Sequence, residues 1–219
     1  MFHHTHPYDP FIPENATKLI VGTLPPPRFT IGELKPDDVN FCYGSRDGFL
    51  WPILDRLFDL NLKYENTEVA VLQRKEFLIK RGIGICDVVE SSRRSKIDAS
   101  DLGMTEVELR DLISILRNNP RINTLLFTGG NSKNGPEYFF RRHLREVGEG
   151  IKLKIISNEV PRVHQFLLDG RLINTVSLTA PSGSANRAIG SMDLYKSMKT
   201  KNPEFNTIDF RILQYKGYF

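Results

Sequence analysis

The chain has little that would staple or anchor it. It holds two cysteines, Cys42 and Cys86, in 219 residues. Two thiols cannot complete an iron–sulfur site or a zinc knuckle, and they suit the reduced state of a cytoplasmic protein. No apolar run approaches the roughly 18 residues that a membrane span needs. The opening MFHHTHPYDPF has no basic region followed by an apolar one, so it does not read as a secretory signal. His3, His4 and His6 crowd together there, but no acidic or cysteine partner follows in a ligand spacing, so no metal is expected. Charge of one sign does not dominate either. The formal net charge is +4 and 40% of residues are hydrophobic, the balance of a globular protein that tolerates an anionic partner without demanding one. There is no internal repeat, low-complexity tract or obvious linker, so a single domain over 1–219 is expected.

What is present is organised around Lys18 to Arg28, KLIVGTLPPPR. Leu19, Ile20 and Val21 form an apolar run without helical period. Gly22 ends it, and Pro25, Pro26 and Pro27 prevent any continuation as ladder or helix. A buried strand feeding a stiff loop is a common site-forming unit in α/β sheets, where ligands lie beyond the carboxyl ends of strands. The same residues also suit an ordinary strand and turn.

The rest alternates. Phe29 to Tyr43 reads as a loop. The spacing predicts a helix from near Asp47 through Phe58, with Pro52 in its first turn. A second helix is predicted over Thr67 to Arg81, with Val71, Leu72, Phe77 and Leu78 turned inward and Thr67 or Asn66 as cap. Gly82 to Cys86 reads as a strand ending at Asp87. Ser91 to Lys96 is basic and rich in hydroxyls, which suits phosphate contacts. Thr105 with Glu108 makes a capping box for a helix running to Asn118. Asn123 to Phe127 predicts a strand, Pro136 to Val147 a helix, Ile151 to Ile156 a strand, and Asn174 to Leu178 a last strand. Thr179 to Asn186, TAPSGSAN, follows it. A helix from about Ser191 and an aromatic tail close the chain. The expected class is α/β, a three-layer α/β/α sandwich on a mainly parallel sheet.

Four stretches, taken in order, resemble the uracil-DNA glycosylase superfamily. GTLPP is similar to its first motif, and APSGSAN to its proline- and serine-rich second motif. YGSRDGFLWPIL resembles the helix entry of the mismatch-specific uracil and hypoxanthine-DNA glycosylase branches. RGIGICDVVESSRR resembles the middle segment of the hypoxanthine branch. The resemblance covers roughly 17–192. It implies a monofunctional DNA glycosylase removing a deaminated or mismatched base, with DNA as partner, no cofactor, no membrane and a monomeric state. A nucleic-acid-binding protein of the same fold without catalysis is the alternative. A hydrolase of free nucleosides is a third reading.

Carried over residue by residue, the resemblance assigns Gly22, Thr23, Leu24, Pro25, Phe41, Tyr43, Gly44 and Ser45 to substrate binding. Ser92, Arg93, Arg94, Ser182, Gly183, Ser184, Asn186 and Arg187 fall to DNA. Leu24 and Pro25 stand where the first motif has its polar catalytic group. Asp47, one position out of register with the hypoxanthine branch's Asn, is then the candidate that orients water, unless it caps its helix. Asp87 occupies the place of a base-reading Asn and is the second catalytic candidate. It can accept from a ring N–H but, ionised, cannot donate to a carbonyl; a helix cap is its other reading. Phe41 and Tyr43 would stack on an extruded base or pack against the next helix. Thr179 and Ala180 replace the histidine of the most efficient enzymes, which implies slow catalysis.

Overall fold

The computed structural model describes residues 1–98 and 100–219. The chain begins with strand β1 (Phe2–Thr5), followed by β2 (Lys18–Gly22), a one-turn helix α1 (Pro27–Thr30), α2 (Leu50–Phe58) and α3 (Glu68–Arg81). Next come β3 (Ile83–Asp87), β4 (Val89–Arg94), β5 (Met104–Leu109), α4 (Leu112–Asn118), β6 (Thr124–Phe127) and α5 (Pro136–Val147). The last part holds β7 (Lys154–Ser157), β8 (Arg162–Leu168), β9 (Arg171–Ser177), α6 (Asn186–Ser191), α7 (Asp193–Lys201) and α8 (Thr207–Tyr215).

Six strands form the main sheet in the order β3-β2-β6-β9-β8-β7. The first four run parallel; β8 lies antiparallel to both its neighbours. Leu19, Ile20 and Val21 are all fully buried because β2 is covered on both faces, which is why the run shows no alternation. Leu19, Val21, Leu125 and Phe127 meet α4 and α5 through Leu116, Phe139 and Phe140. Ile20, Ile85 and Leu126 meet α2 and α3 through Trp51, Ile53 and Phe77. Each such side chain contributes about 1.5–3 kcal/mol by leaving water.

Local signals set most helix ends. The Thr67 hydroxyl accepts from Ala70 N at 3.3 Å, and Gly82 closes α3 at φ +63°. Pro136 opens α5 and Gly148 ends it.

Several expectations fail, each for a tertiary reason. Thr105 and Glu108 form no capping box. They lie in β5, in a second, antiparallel sheet ordered β1-β4-β5. There the Thr105 hydroxyl donates to Arg93 O, and Glu108 accepts from the Ser91 hydroxyl at 2.7 Å. The helix starts only at Leu112, capped by Asp111. Ser91 to Arg94, expected as phosphate contacts, lies within strand β4. Leu72 is half-exposed; the inward face of α3 carries Ala70, Arg74, Phe77 and Leu78. Arg74, fully buried, spends its charge on Ala70 O and Lys63 O and lies over Trp51 and Tyr64. Strand β8 had no expectation, although Asp169-Gly170, both at positive φ, is a two-residue hairpin turn that joins it to β9.

Candidate functional site

The parallel register brings the strand exits to one edge. Gly22 pairs with Asp87, Val21 with Phe127, and Phe127 with Ser177. A cleft of about 250 Å³ opens there, lined by Thr23 to Pro26, Tyr43 to Ser45, Asp47, Gly48, Asp87, Asp101, Thr128 and Ala180 to Ser182. A groove of about 700 Å³ adjoins it and shares Asp101, Thr128, Ala180 and Ser182.

Gly22 is required by its surroundings. A Cβ there would stand 2.1 Å from the Tyr43 hydroxyl and 2.6 Å from Asp87 Oδ1. Its N–H donates to Asp87 Oδ1 at 3.1 Å. Tyr43 sits at φ +57° and its hydroxyl meets Thr128 Oγ1 at 2.9 Å. Burial, and then the Asp87 charge, push its phenol well above the usual range, so it stays a neutral donor and acceptor.

The loop carrying Tyr43 is built on Asp38. This fully buried carboxylate accepts from Arg28 Nε and Nη2 at 2.7 and 2.8 Å and from the N–H of Lys35 and Arg46. Burial alone would raise the Asp38 carboxyl; the Arg28 hydrogen bonds and the two backbone donors outweigh it and hold it below the usual range. Arg28 also reaches Ser45 Oγ at 2.8 Å and Asp47 Oδ2 at 3.4 Å. Asp47 is exposed and does not cap α2, whose first turn follows Phe49 without a side-chain cap. Nor does Asp87 cap a helix, since β4 follows it.

The loop after β9 is held from the C-terminal helix. Arg211, fully buried, donates to Ala180 O, Ser182 O and Asn186 Oδ1 at 2.7–3.0 Å and lies over Phe49. Gln214 and Tyr215 bond the backbone of Thr179. Gly48 and Phe49 pair with Ser182 and Pro181, which joins this loop to the one carrying Asp47.

Two groups that shape the cleft, Asp101 and His6, were not expected there. Asp101 enters from the turn before β5. Thr23 Oγ1 lies 3.0 and 3.1 Å from its two carboxyl oxygens, and its carbonyl accepts from Asn134 Nδ2 at 2.8 Å. Burial, only partly offset by the Thr23 hydrogen bond and the Arg94 charge, lifts its carboxyl from 3.8 to about 6. His6 lies behind the cleft, with Nε2 2.9 Å from Asp87 Oδ2. Neither could be placed locally: His6 and Asp87 are 81 residues apart.

Of the expected residues, Gly22, Thr23, Leu24, Pro25, Tyr43, Gly44, Ser45, Asp47, Asp87 and Ser182 gather at the cleft, and Ser184 lines the groove. Phe41 does not. It is buried between Phe11 and Trp51, because the turn to Tyr43 points it into the core. The basic cluster is elsewhere too. Ser92 and Arg94 are buried in β4, where Arg94 Nε donates to His4 Nδ1 at 2.8 Å, and Arg93 pairs with Glu106 at 2.9 Å. Strand alternation buries Ser92 and Arg94, and His4 of β1 and Glu106 of β5 engage Arg94 and Arg93. Asn186 is tied to Thr207 and Arg211, while Arg187 stands exposed on α6, whose Ala188 lines the groove.

No model of a known protein family matches this chain. No curated protein matches it either. Among the described residues no three His, Cys, Asp or Glu side chains are grouped to hold a metal, and no helix is long and apolar enough to cross a membrane. Both thiols are buried, and burial pushes them well up, so neither is a ready nucleophile.

Proposed function

We propose that this chain is a monofunctional DNA glycosylase that hydrolyses the N-glycosidic bond of a deaminated or mismatched base such as hypoxanthine or uracil. In this reading the sheet and its helices form the three-layer α/β/α sandwich of uracil-DNA glycosylase type, acting in base excision repair. One observation carries it: a small acidic cleft at the carboxyl edge of the sheet, floored by the Gly22 loop and opening into a longer groove. Binding pockets for drug-sized ligands run roughly 300–1,000 Å³. A cleft of about 250 Å³ suits one extruded base, and the adjoining 700 Å³ suits the strand that carried it.

The chemistry divides among three carboxyl groups. As the bond breaks, its electron pair passes to the base nitrogen and the sugar becomes cationic at C1′. Water then adds to C1′. Asp47, at the exposed mouth, orients that water and takes its proton, a role worth about 10²–10⁴-fold. Asp101, with a carboxyl near 6, holds a proton that it delivers to the departing base. Asp87 accepts from a ring N–H. Tyr43 and the prolines wall the pocket. Gly129, Gly130, Ser182, Ser184 and Arg162 of the groove, with the exposed Arg187 of α6, are the phosphate contacts in place of Arg93 and Arg94.

The test is a panel of oligonucleotides carrying uracil, hypoxanthine, xanthine or mismatched thymine, cleaved with alkali after incubation. Cutting of at least one, lost about 10²–10⁴-fold in Asp47→Ala, is the expected result. Binding without cutting across the panel replaces this reading with that of a non-catalytic nucleic-acid-binding protein.

A further inference from the structure

His6 comes from outside every motif that the sequence offers. Its N–H donates to Glu90 O at 2.8 Å, which ties the segment after β1 to β4. Tyr8 N donates to His6 Nδ1 at 3.1 Å. A ring nitrogen that accepts an N–H carries no proton, so the neutral imidazole keeps its proton on Nε2. That nitrogen lies 2.9 Å from Asp87 Oδ2 and donates to it. Asp87 Oδ1 accepts from Gly22 N at 3.1 Å. The two side chains are 1% and 7% exposed, so water hardly competes for either bond. Donors from two different segments therefore fix the plane of this carboxylate. Each oxygen accepts one of these N–H bonds, and the lone pairs left over face the cleft. The group keeps spare acceptor capacity toward the cleft and offers no donor.

We infer that His6 is a specificity-determining positioning residue: it holds Asp87 as a pure acceptor on the cleft wall, which selects bases with a protonated ring nitrogen. This rests on the cleft being a base pocket, as proposed above. Hypoxanthine, xanthine and uracil present a ring N–H on the edge that a carboxylate can meet. Adenine and cytosine present a bare nitrogen at the matching position, and two sets of lone pairs then face each other. Deamination of adenine or cytosine converts the second kind of edge into the first, whereas guanine and thymine already carry a ring N–H. The His6–Asp87 pair therefore separates hypoxanthine from adenine and uracil from cytosine. A carboxyl free to turn would no longer aim its lone pairs at that ring nitrogen, and the distinction would be lost.

Free bases test this separately from cleavage. The full chain is titrated with hypoxanthine, adenine, uracil and cytosine, with amide shifts followed by NMR. Wild type should bind hypoxanthine at least tenfold more tightly than adenine, the order expected for one charge-assisted hydrogen bond gained against one lone-pair clash. His6→Ala should cut that preference to about threefold or less, and His6→Gln, whose amide can still donate to Asp87, should restore part of it. An unchanged preference in His6→Ala overturns the inference. If that variant does not fold, ¹⁵N spectra of the wild-type histidines decide: an Nε2-protonated His6 whose N–H resonance moves on adding hypoxanthine is expected, and an unmoved resonance overturns the assignment. Selective base binding by a wild type that cuts no oligonucleotide, with the preference reduced in His6→Ala, overturns the glycosylase reading and upholds the role of His6. A wild type that binds no base, or binds adenine equally well, overturns the role of His6.

Discussion

Replacing Asp101 by Asn should make the protein more stable at neutral pH and less active. The carboxyl is held near 6 against an ordinary 3.8, so the folded state binds a proton more tightly than the unfolded chain does. Stability from that proton is fully present below about 4 and is lost as pH rises through about 6. At roughly 1.4 kcal/mol per pH unit, the loss reaches about 3 kcal/mol, and partial exposure of the carboxyl reduces it to about 2. Asn has the same shape, still accepts from Thr23 Oγ1, and never ionises. The stability of Asp101→Asn minus that of wild type should therefore be small at pH 4, climb between pH 4 and 6, and level off above. Urea unfolding at half-unit steps from pH 4 to 8 measures the difference directly, since every other titrating group cancels. A flat difference would refute both the burial argument and the assignment of a stored proton. If Asp101 delivers the proton, wild-type excision should fall above about pH 6, and this fall should be lost in the same variant.

Three further outcomes follow from the site. Arg211→Ala leaves Ala180 O, Ser182 O and Asn186 Oδ1 without their donor. With buried acceptors costing about 1–3 kcal/mol each, some of it recovered by water, the loss should be roughly 2–4 kcal/mol in urea unfolding, and hydrogen exchange should rise in the loop after β9. Gly22→Ala drives a methyl into Tyr43 and Asp87; it should cost about 1–3 kcal/mol or more and abolish base binding together, and a neutral outcome would mean that the cleft is looser than drawn. Arg162→Ala with Arg187→Ala should flatten the salt dependence of DNA affinity by about two charges, while Arg93→Ala should leave it unchanged, read by fluorescence anisotropy from 50 to 300 mM salt.

Much of this was legible without coordinates. The apolar run at Leu19 to Val21, the stop at Gly22 and the three prolines are local chemistry, and they carry the first strand and its loop into place. Parallel pairing then follows from the spacing of strands and helices, so the gathering of Gly22, Asp87 and Ala180 at one edge could be expected. Sequence could not say where long-range partners would pull. Thr105 and Glu108 satisfy a capping rule, yet the exposed edge of β4 offers their backbone a ladder, and pairing wins over propensity. Arg93 and Arg94 read as a phosphate grip because charge is visible in sequence and burial is not.

The sequence by itself determined the parallel strands β2, β3, β6 and β9, the helices α2, α3 and α5 and the Thr67 cap, since each depends on residues a few positions apart. The tertiary structure alone decided which polar groups share the cleft. Asp101 and His6 have no local neighbour that marks them. Their chemistry comes from burial and from partners tens of residues away, and a carboxyl near 6 or an imidazole locked in one tautomer exists only once the chain has closed around it.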